Sequence, residues 1–168
     1  MNSKSIRSYS TYALAYLLWA ITTILGGMVL LQARDAYLSV VVMSTYDRFK
    51  DNARELFYSS LQTRTLDQWS YLFLGLLLVV LIVFIEHFYR TGVQPGILRL
   101  RFFQVTAIEF AGLFLANLTS TMIIWSVSGF TWRSLFYPLL ELITAMIFVW
   151  LWIDTRRRKI AAADDQPA

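Results

Sequence analysis

Three polar side chains in this chain of 168 residues stand where chemistry or assembly must account for them. Glu109, Asn117 and Glu141 lie inside long apolar runs, where a polar group is costly unless it meets a partner, a wet cavity or a transported ion. A carboxyl held in hydrocarbon can relay a proton, bind a cation or hydrogen-bond a neighbouring helix. In an α-helix, residues 109, 112, 116, 117 and 120 share one face, and here they are Glu109, Gly112, Ala116, Asn117 and Ser120. Glu141 and Thr144 form a second polar patch, following Pro138, whose ring frees a backbone carbonyl when it stands inside a helix.

Depth separates the two acids. Asn117 and Glu141 are equidistant from Gly129, so an antiparallel turn at Gly129 brings them level. Glu109 lies roughly 12 Å inside Arg101, at about 1.5 Å of rise per residue. The stagger is too large for a two-carboxylate catalytic pair. Three readings follow. The acids, with Ser120 and Thr144, line a path for protons or cations; or an Asn117–Glu141 hydrogen bond clamps two helices; or an acid pairs with a basic residue of another subunit. No Lys or Arg falls within the four spans assigned below, so an ionised partner for Glu109 must come from another molecule.

The elements that carry these residues are transmembrane helices. Hydrophobic residues make up 57% of the chain and charged residues 15%, against about 25% charged in ordinary soluble domains. Charge-free runs place spans at about 12–31, 69–88, 102–127 and 134–153. Six Trp and nine Tyr suit two membrane–water interfaces. The first run exceeds the roughly 7–15 residues of a signal-peptide core and reads as an uncleaved helix. Within it Thr22, Thr23, Gly26 and Gly27 form overlapping pairs of small residues four apart, which let another helix approach closely. The fold class predicted is all-α integral membrane protein, four helices arranged as two antiparallel hairpins.

Between the first two spans, residues 32–67 are mixed in character and contain no Gly or Pro, which argues against a loose linker. Ser44 reads as a helix cap, placing Phe49, Ala53, Leu56, Phe57 and Leu61 on one amphipathic face. Upstream, 36–43 is apolar and either prolongs the first helix or lies along the interface. Thr65-Leu66-Asp67-Gln68 matches a capping box that opens the second span. That span closes on Glu86 and Arg90, spaced for a helical ion pair. The break at 91–96 ends in Pro95-Gly96, and the residues after Asp154 form a cytoplasmic tail, 154–168, whose last eight residues read as disordered.

Basic residues flanking the spans orient the chain. Lys4, Arg7, Arg90, Arg99, Arg101 and Arg156–Lys159 gather on one side, while the 32–67 segment is charge-balanced. Both termini are expected in the cytoplasm of a cell expressing the protein in its plasma membrane, with the amphipathic segment outside.

Several chemistries are excluded. Cysteine is absent and His87, at the end of a span, is the only histidine. Thiolate and multi-His metal sites and a bis-histidine haem therefore cannot form from this chain alone. No phosphate-binding loop, nucleophile elbow or dinucleotide turn occurs. The net charge of +4 sits beside the spans, where orientation rather than nucleic acid explains it. The expectation is a non-enzyme without a dedicated cofactor, although a bound lipid or quinone suits its composition. Its leading role is an accessory or assembly subunit of a larger membrane complex, in contact with membrane lipid and other membrane subunits. The alternative is a small oligomeric proton- or cation-coupled transporter or channel using Glu109 and Glu141.

Overall fold

The computed structural model describes residues 3–49, 51–93 and 97–164, without the side chains of 3–8, Asp47, Phe49, Ala53, Leu56 and 161–164. These residues form α1 (Ser3–Phe49), α2 (Ala53–Arg90), α3 (Ile97–Ser128) and α4 (Phe136–Asp164), with a 3-10 turn at Trp132–Leu135 before α4. No strand occurs among the described residues. Tyr9–Tyr46, Phe57–Arg90, Ile97–Ser128 and Trp132–Ile160 are each long and apolar enough to cross a bilayer. The chain is an all-helical protein with four such helices, as a multi-pass membrane protein requires.

The segment 32–67 does not form a separate helix. α1 runs unbroken for 47 residues, roughly 70 Å at 1.5 Å per residue and more than twice the thickness of a bilayer core. The expected caps at Ser44 and Thr65 are both mid-helix, their hydroxyls donating back to the carbonyls of Val41 and Leu61. Ser and Thr can close such bonds within a helix, and with no Gly or Pro nearby nothing forces a break. Among the described residues between α1 and α2, Asp51 and Asn52 are not helical. Asn52 takes extended backbone angles and accepts from the Glu55 N–H at 3.4 Å, capping α2. Ala53, Leu56 and Phe49 of the expected amphipathic face lie outside the described side chains, whereas Phe57 and Leu61 are exposed.

The other ends depart from expectation in smaller ways. α4 continues past the expected stop at Asp154 to Asp164, aided by an Arg158–Asp154 ion pair at 2.9 Å one turn apart. Part of the expected disordered tail is thus helical, and the remainder, with Pro95-Gly96, lies outside the described residues. Pro138 stands in the first turn of α4 rather than its second, where its missing N–H would have no partner in any case. Gly129 closes α3 with φ +81 and donates to the Trp125 carbonyl at 3.1 Å, a left-handed terminus that favours glycine.

Packing orders the helices in a row rather than a closed bundle. α1 packs along α2 on one side and α3 on the other; α4 packs on α3 alone; α2 and α3 scarcely touch. Trp19 meets Ile82 and Arg34 meets Asp67, so α1 and α2 run in opposite directions. Gly26 lies against Glu109 and Gly112 against Val29, so α1 and α3 run the same way. Phe148 of α4 seats among Phe102, Phe103 and Phe110 of α3, with ring centroids about 6 Å apart. Ala15, Ile85, Tyr89 and Leu98 tie α1, α2 and α3 together near the end of α2.

Candidate functional site

Small residues make the central contact close enough to bury polar groups. Gly26 sits where three helices converge. A Cβ there would come within 2.6 Å of the Leu81 side chain and 3.3 Å of Glu109 Oε1. Gly27, the next residue, lies against Leu78 at 3.6 Å, and one turn along α3 the missing side chain of Gly112 admits Val29 at 2.9 Å. Thr22 is fully buried and its hydroxyl returns to the Leu18 and Trp19 carbonyls at 3.0 and 3.1 Å. Thr23 keeps a buried hydroxyl without a partner.

Glu109 is 6% exposed, and neither carboxyl oxygen has a hydrogen-bond partner. Thr106, one turn earlier on the same face, is also buried with an unpartnered hydroxyl. The Tyr89 hydroxyl is likewise buried without a hydrogen-bond partner. Thr23 of α1, Tyr89 of α2 and Thr106 and Glu109 of α3 thus all hold buried polar atoms that are unsatisfied within the chain. A buried polar group without a partner ordinarily costs about 1–3 kcal/mol. Because α2 and α3 both lean on α1 and scarcely touch each other, they leave a cleft of about 290 Å³. Leu81, Phe84, Ile85 and Phe88 of α2 and Gln104, Val105 and Ile108 of α3 line it, and Glu109 borders it, with both carboxyl oxygens buried.

Asn117 and Glu141 are arranged differently. The Asn117 side-chain amide donates to Glu141 at 2.6 Å, joining α3 to α4. The stripe on α3 is therefore divided: Glu109 and Gly112 face α1, while Asn117 faces α4. Ala116 is buried between these contacts. The hydroxyls of Ser120 and Thr144 each donate to a carbonyl one turn back in their own helix, Ala116 and Leu140.

Arg34, just beyond the first expected span of 12–31, is a cation within the helical packing. It stands inside α1 with a side chain only 10% exposed. Its guanidinium pairs with Asp67 and with Asp35 at 2.7 Å, donates to Ser70 Oγ at 2.8 Å, and stacks 3.9 Å over the Tyr71 ring. Since Val29 meets Gly112, Arg34 and Asn117, each five residues further on, share a height roughly 7 Å beyond that contact. Two polar links, Arg34–Asp67 between α1 and α2 and Asn117–Glu141 between α3 and α4, therefore lie at one level, although Glu141 Oε2 is buried without a partner. Arg34 is still no partner for Glu109, being wholly engaged by α2 and by its own helix neighbour.

Sequence reasoning missed two further contacts. Arg101 donates to the Phe88 carbonyl and, at 2.7 Å, to Thr91 Oγ1, while its guanidinium lies 4.5 Å from the Phe88 ring centroid. It fills the space that the absent side chain of Gly92 leaves. A cation at a helix C-terminus is stabilising by about 0.3–1 kcal/mol, and an Arg directly after a Gly-containing break is the signal that could have revealed it. Tyr89 was the other omission; its place at a helix end gave no hint of full burial. In contrast, Glu86 and Arg90 do not form the expected ion pair, and neither has an ion-pair partner among the described residues. No cluster of metal-binding side chains occurs among the described residues. No protein-family model, no curated protein and no solved structure matches this chain.

Proposed function

We propose that this protein is an accessory or assembly subunit of a larger membrane complex, receiving a transmembrane helix of a partner in the cleft between α2 and α3. The observation that supports this reading is the Glu109 carboxyl, buried with both oxygens unpartnered in a residue that borders the cleft between α2 and α3. A donor side chain of a partner helix, an Arg, Lys, Asn or Gln, satisfies that carboxyl while apolar neighbours fill the cleft. The proposal carries its topology with it: α1–α2 and α3–α4 act as two hairpins in a plasma membrane, with both termini cytoplasmic and the 36–66 region of α1 and α2 projecting outside as an arm. Tyr37, Val40, Val42, Tyr46, Phe57 and Leu61 are exposed on that arm and offer a second contact surface. No cofactor or catalytic role is part of this reading.

The transporter alternative draws less support, because Glu141 is tied to Asn117 and the hydroxyls of Ser120 and Thr144 are spent within their own helices. Purification of the full chain from its native membrane in mild detergent tests the choice. A distinct membrane chain should co-elute in fixed ratio and be lost in Glu109→Leu. Recovery only as a homo-oligomer, or an intact assembly whose proton-driven flux disappears in Glu109→Gln, refutes the subunit reading.

A further inference from the structure

A second cavity, separate from the Glu109 cleft, lies between α1 and α2 near the end of α2 and measures about 300 Å³. That is within the range of small-molecule sites. Tyr12, Tyr16, Trp19 and Tyr89 supply aromatic surface, and Glu86 and Arg90 supply one charge of each sign. Helical spacing puts those two charges on one face about one turn apart, yet they do not pair with each other or with another ion-pairing group among the described residues. Trp19 and Tyr16 are set edge to face, ring centroids 6.3 Å apart, and the Trp19 indole is held by the Ile82 carbonyl at 3.4 Å. The wall is therefore fixed rather than free to collapse inward. Arg90, Arg99 and Arg101 gather at this end of the molecule, and Tyr and Trp rings favour the headgroup level of a bilayer.

We propose that this cavity binds the headgroup of a zwitterionic phospholipid. The phosphate meets the Arg90 guanidinium, which is suited to phosphate oxygens. The ammonium meets Glu86, with the Tyr16 and Trp19 faces adding cation–π attraction. The acyl chains descend along the apolar surfaces of α1 and α2, as a lipid anchored at this depth requires. Two opposite charges left apart on one helix face are what distinguishes this site from a simple basic anchor. A basic anchor would accept any anionic lipid, whereas Glu86 repels a headgroup with no cation to offer. The inference does not depend on the subunit reading.

Native mass spectrometry of the full chain, exchanged into detergent with defined lipid, tests it. Wild type should retain dioleoyl phosphatidylethanolamine at least tenfold better than dioleoyl phosphatidylglycerol. Arg90→Gln should weaken retention of the zwitterionic lipid about tenfold, and Glu86→Gln should narrow or reverse the selectivity between the two. Tyr16→Phe keeps the ring and should retain the lipid, whereas Tyr16→Leu should lose several-fold. Unchanged helicity by circular dichroism certifies each variant, and a misfolded one is replaced by Glu86→Asp, which retains the charge but shortens its reach and should weaken retention without reversing selectivity. Equal retention of both lipids by wild type, or selectivity unmoved in the folded Glu86 variant, overturns the proposal. Free phosphoethanolamine binding as tightly as the intact lipid also overturns it, by showing a soluble phosphate compound to be the ligand.

Discussion

Two sets of polar groups in this protein differ in how far they are partnered. Arg34 meets Asp67, Asp35, Ser70 and Tyr71, and Asn117 meets Glu141, whose Oε2 stays buried without a partner. Glu109, Thr106 and Tyr89 are buried more completely and have no hydrogen bonds from their side-chain oxygens. Paired polar groups in a helix interface fix which helices lie together. Unsatisfied ones raise the free energy of the isolated chain and lower it again on finding a donor. The Arg34 level therefore reads as internal architecture, and on the proposed subunit reading the Glu109 level is a place held for another molecule.

The comparison is broken most forcefully at Arg34. Replacement by Ala leaves the Asp67 carboxylate facing a helix interface without its cation. Removing one member of a buried pair costs about 3–5 kcal/mol; Asp67 keeps 43% exposure, which places this case near the low end, about 3 kcal/mol. Asp67→Asn still offers an acceptor to the guanidinium and should cost about 1 kcal/mol. Unfolding of the full chain by SDS in mixed micelles, followed by circular dichroism, ranks the two. Equal and negligible costs would remove Arg34 from the architecture.

Next in size is steric. Gly26→Val drives methyl groups into Leu81 and Glu109, and overpacking of this kind costs about 1–3 kcal/mol. Gly75 of α2 faces open space, with nothing within 4 Å of where a Cβ would stand. Gly75→Ala should therefore stabilise by up to about 1 kcal/mol through helix propensity alone. The same unfolding assay reads both, and a Gly26→Val variant as stable as wild type would mean that α1, α2 and α3 do not converge at this residue.

Much of this contrast was legible in the sequence, and the illegible part has a physical cause. Asn117 and Glu141 could be matched because a lone Gly129 fixes the turn and helical rise fixes the level on either side. The four spans follow from runs of apolar residues that nothing interrupts. Ser44 and Thr65 misled because their hydroxyls can either cap a helix or bond back into one, and local sequence does not choose between the two. Asn52 prevailed as the cap at the place where the chain reverses. Arg34 is hidden by its neighbours: beside Asp35 in the charge-balanced 32–67 segment nothing singles it out, and only the pairing of α1 with α2 brings Asp67 and Ser70 to it. Glu86 and Arg90 have ideal spacing for an ion pair, yet surface pairs are worth little, and an adjacent cavity leaves both side chains free of one another.

A smaller effect comes from the Asn117–Glu141 link. Asn117→Leu and Glu141→Leu, measured singly and together, should show a coupling of about 0.6–1.7 kcal/mol, the range for hydrogen bonds between transmembrane helices. Additive effects would assign the two residues separate roles and withdraw the link from the architecture at the Arg34 level. The same cycle applied to Glu109 and Tyr89, which share no hydrogen bond, should give a coupling nearer zero.

The smallest effect on stability is expected where the effect on assembly is largest. Glu109→Gln keeps the shape of the side chain and sacrifices no hydrogen bond, because Glu109 makes none within the chain. Without cavity, clash or lost partner, the change should stay within about 0.5 kcal/mol of wild type. Glu109→Leu, which also removes the polar group, should unfold no more easily than the Gln variant. The two variants also report on the partner's donor. A Lys or Arg loses its counter-charge in both, so both should abolish the complex. An Asn or Gln tolerates Glu109→Gln better than Glu109→Leu, since an amide still accepts. Comparing recovery of the complex with unfolding of the isolated chain for these two variants separates a site kept for another molecule from a strut of the fold. A loss of stability above about 2 kcal/mol in Glu109→Gln, well outside the range for a change that breaks no contact, would make the Glu109 group a structural element like Arg34, and the difference between the two levels would vanish.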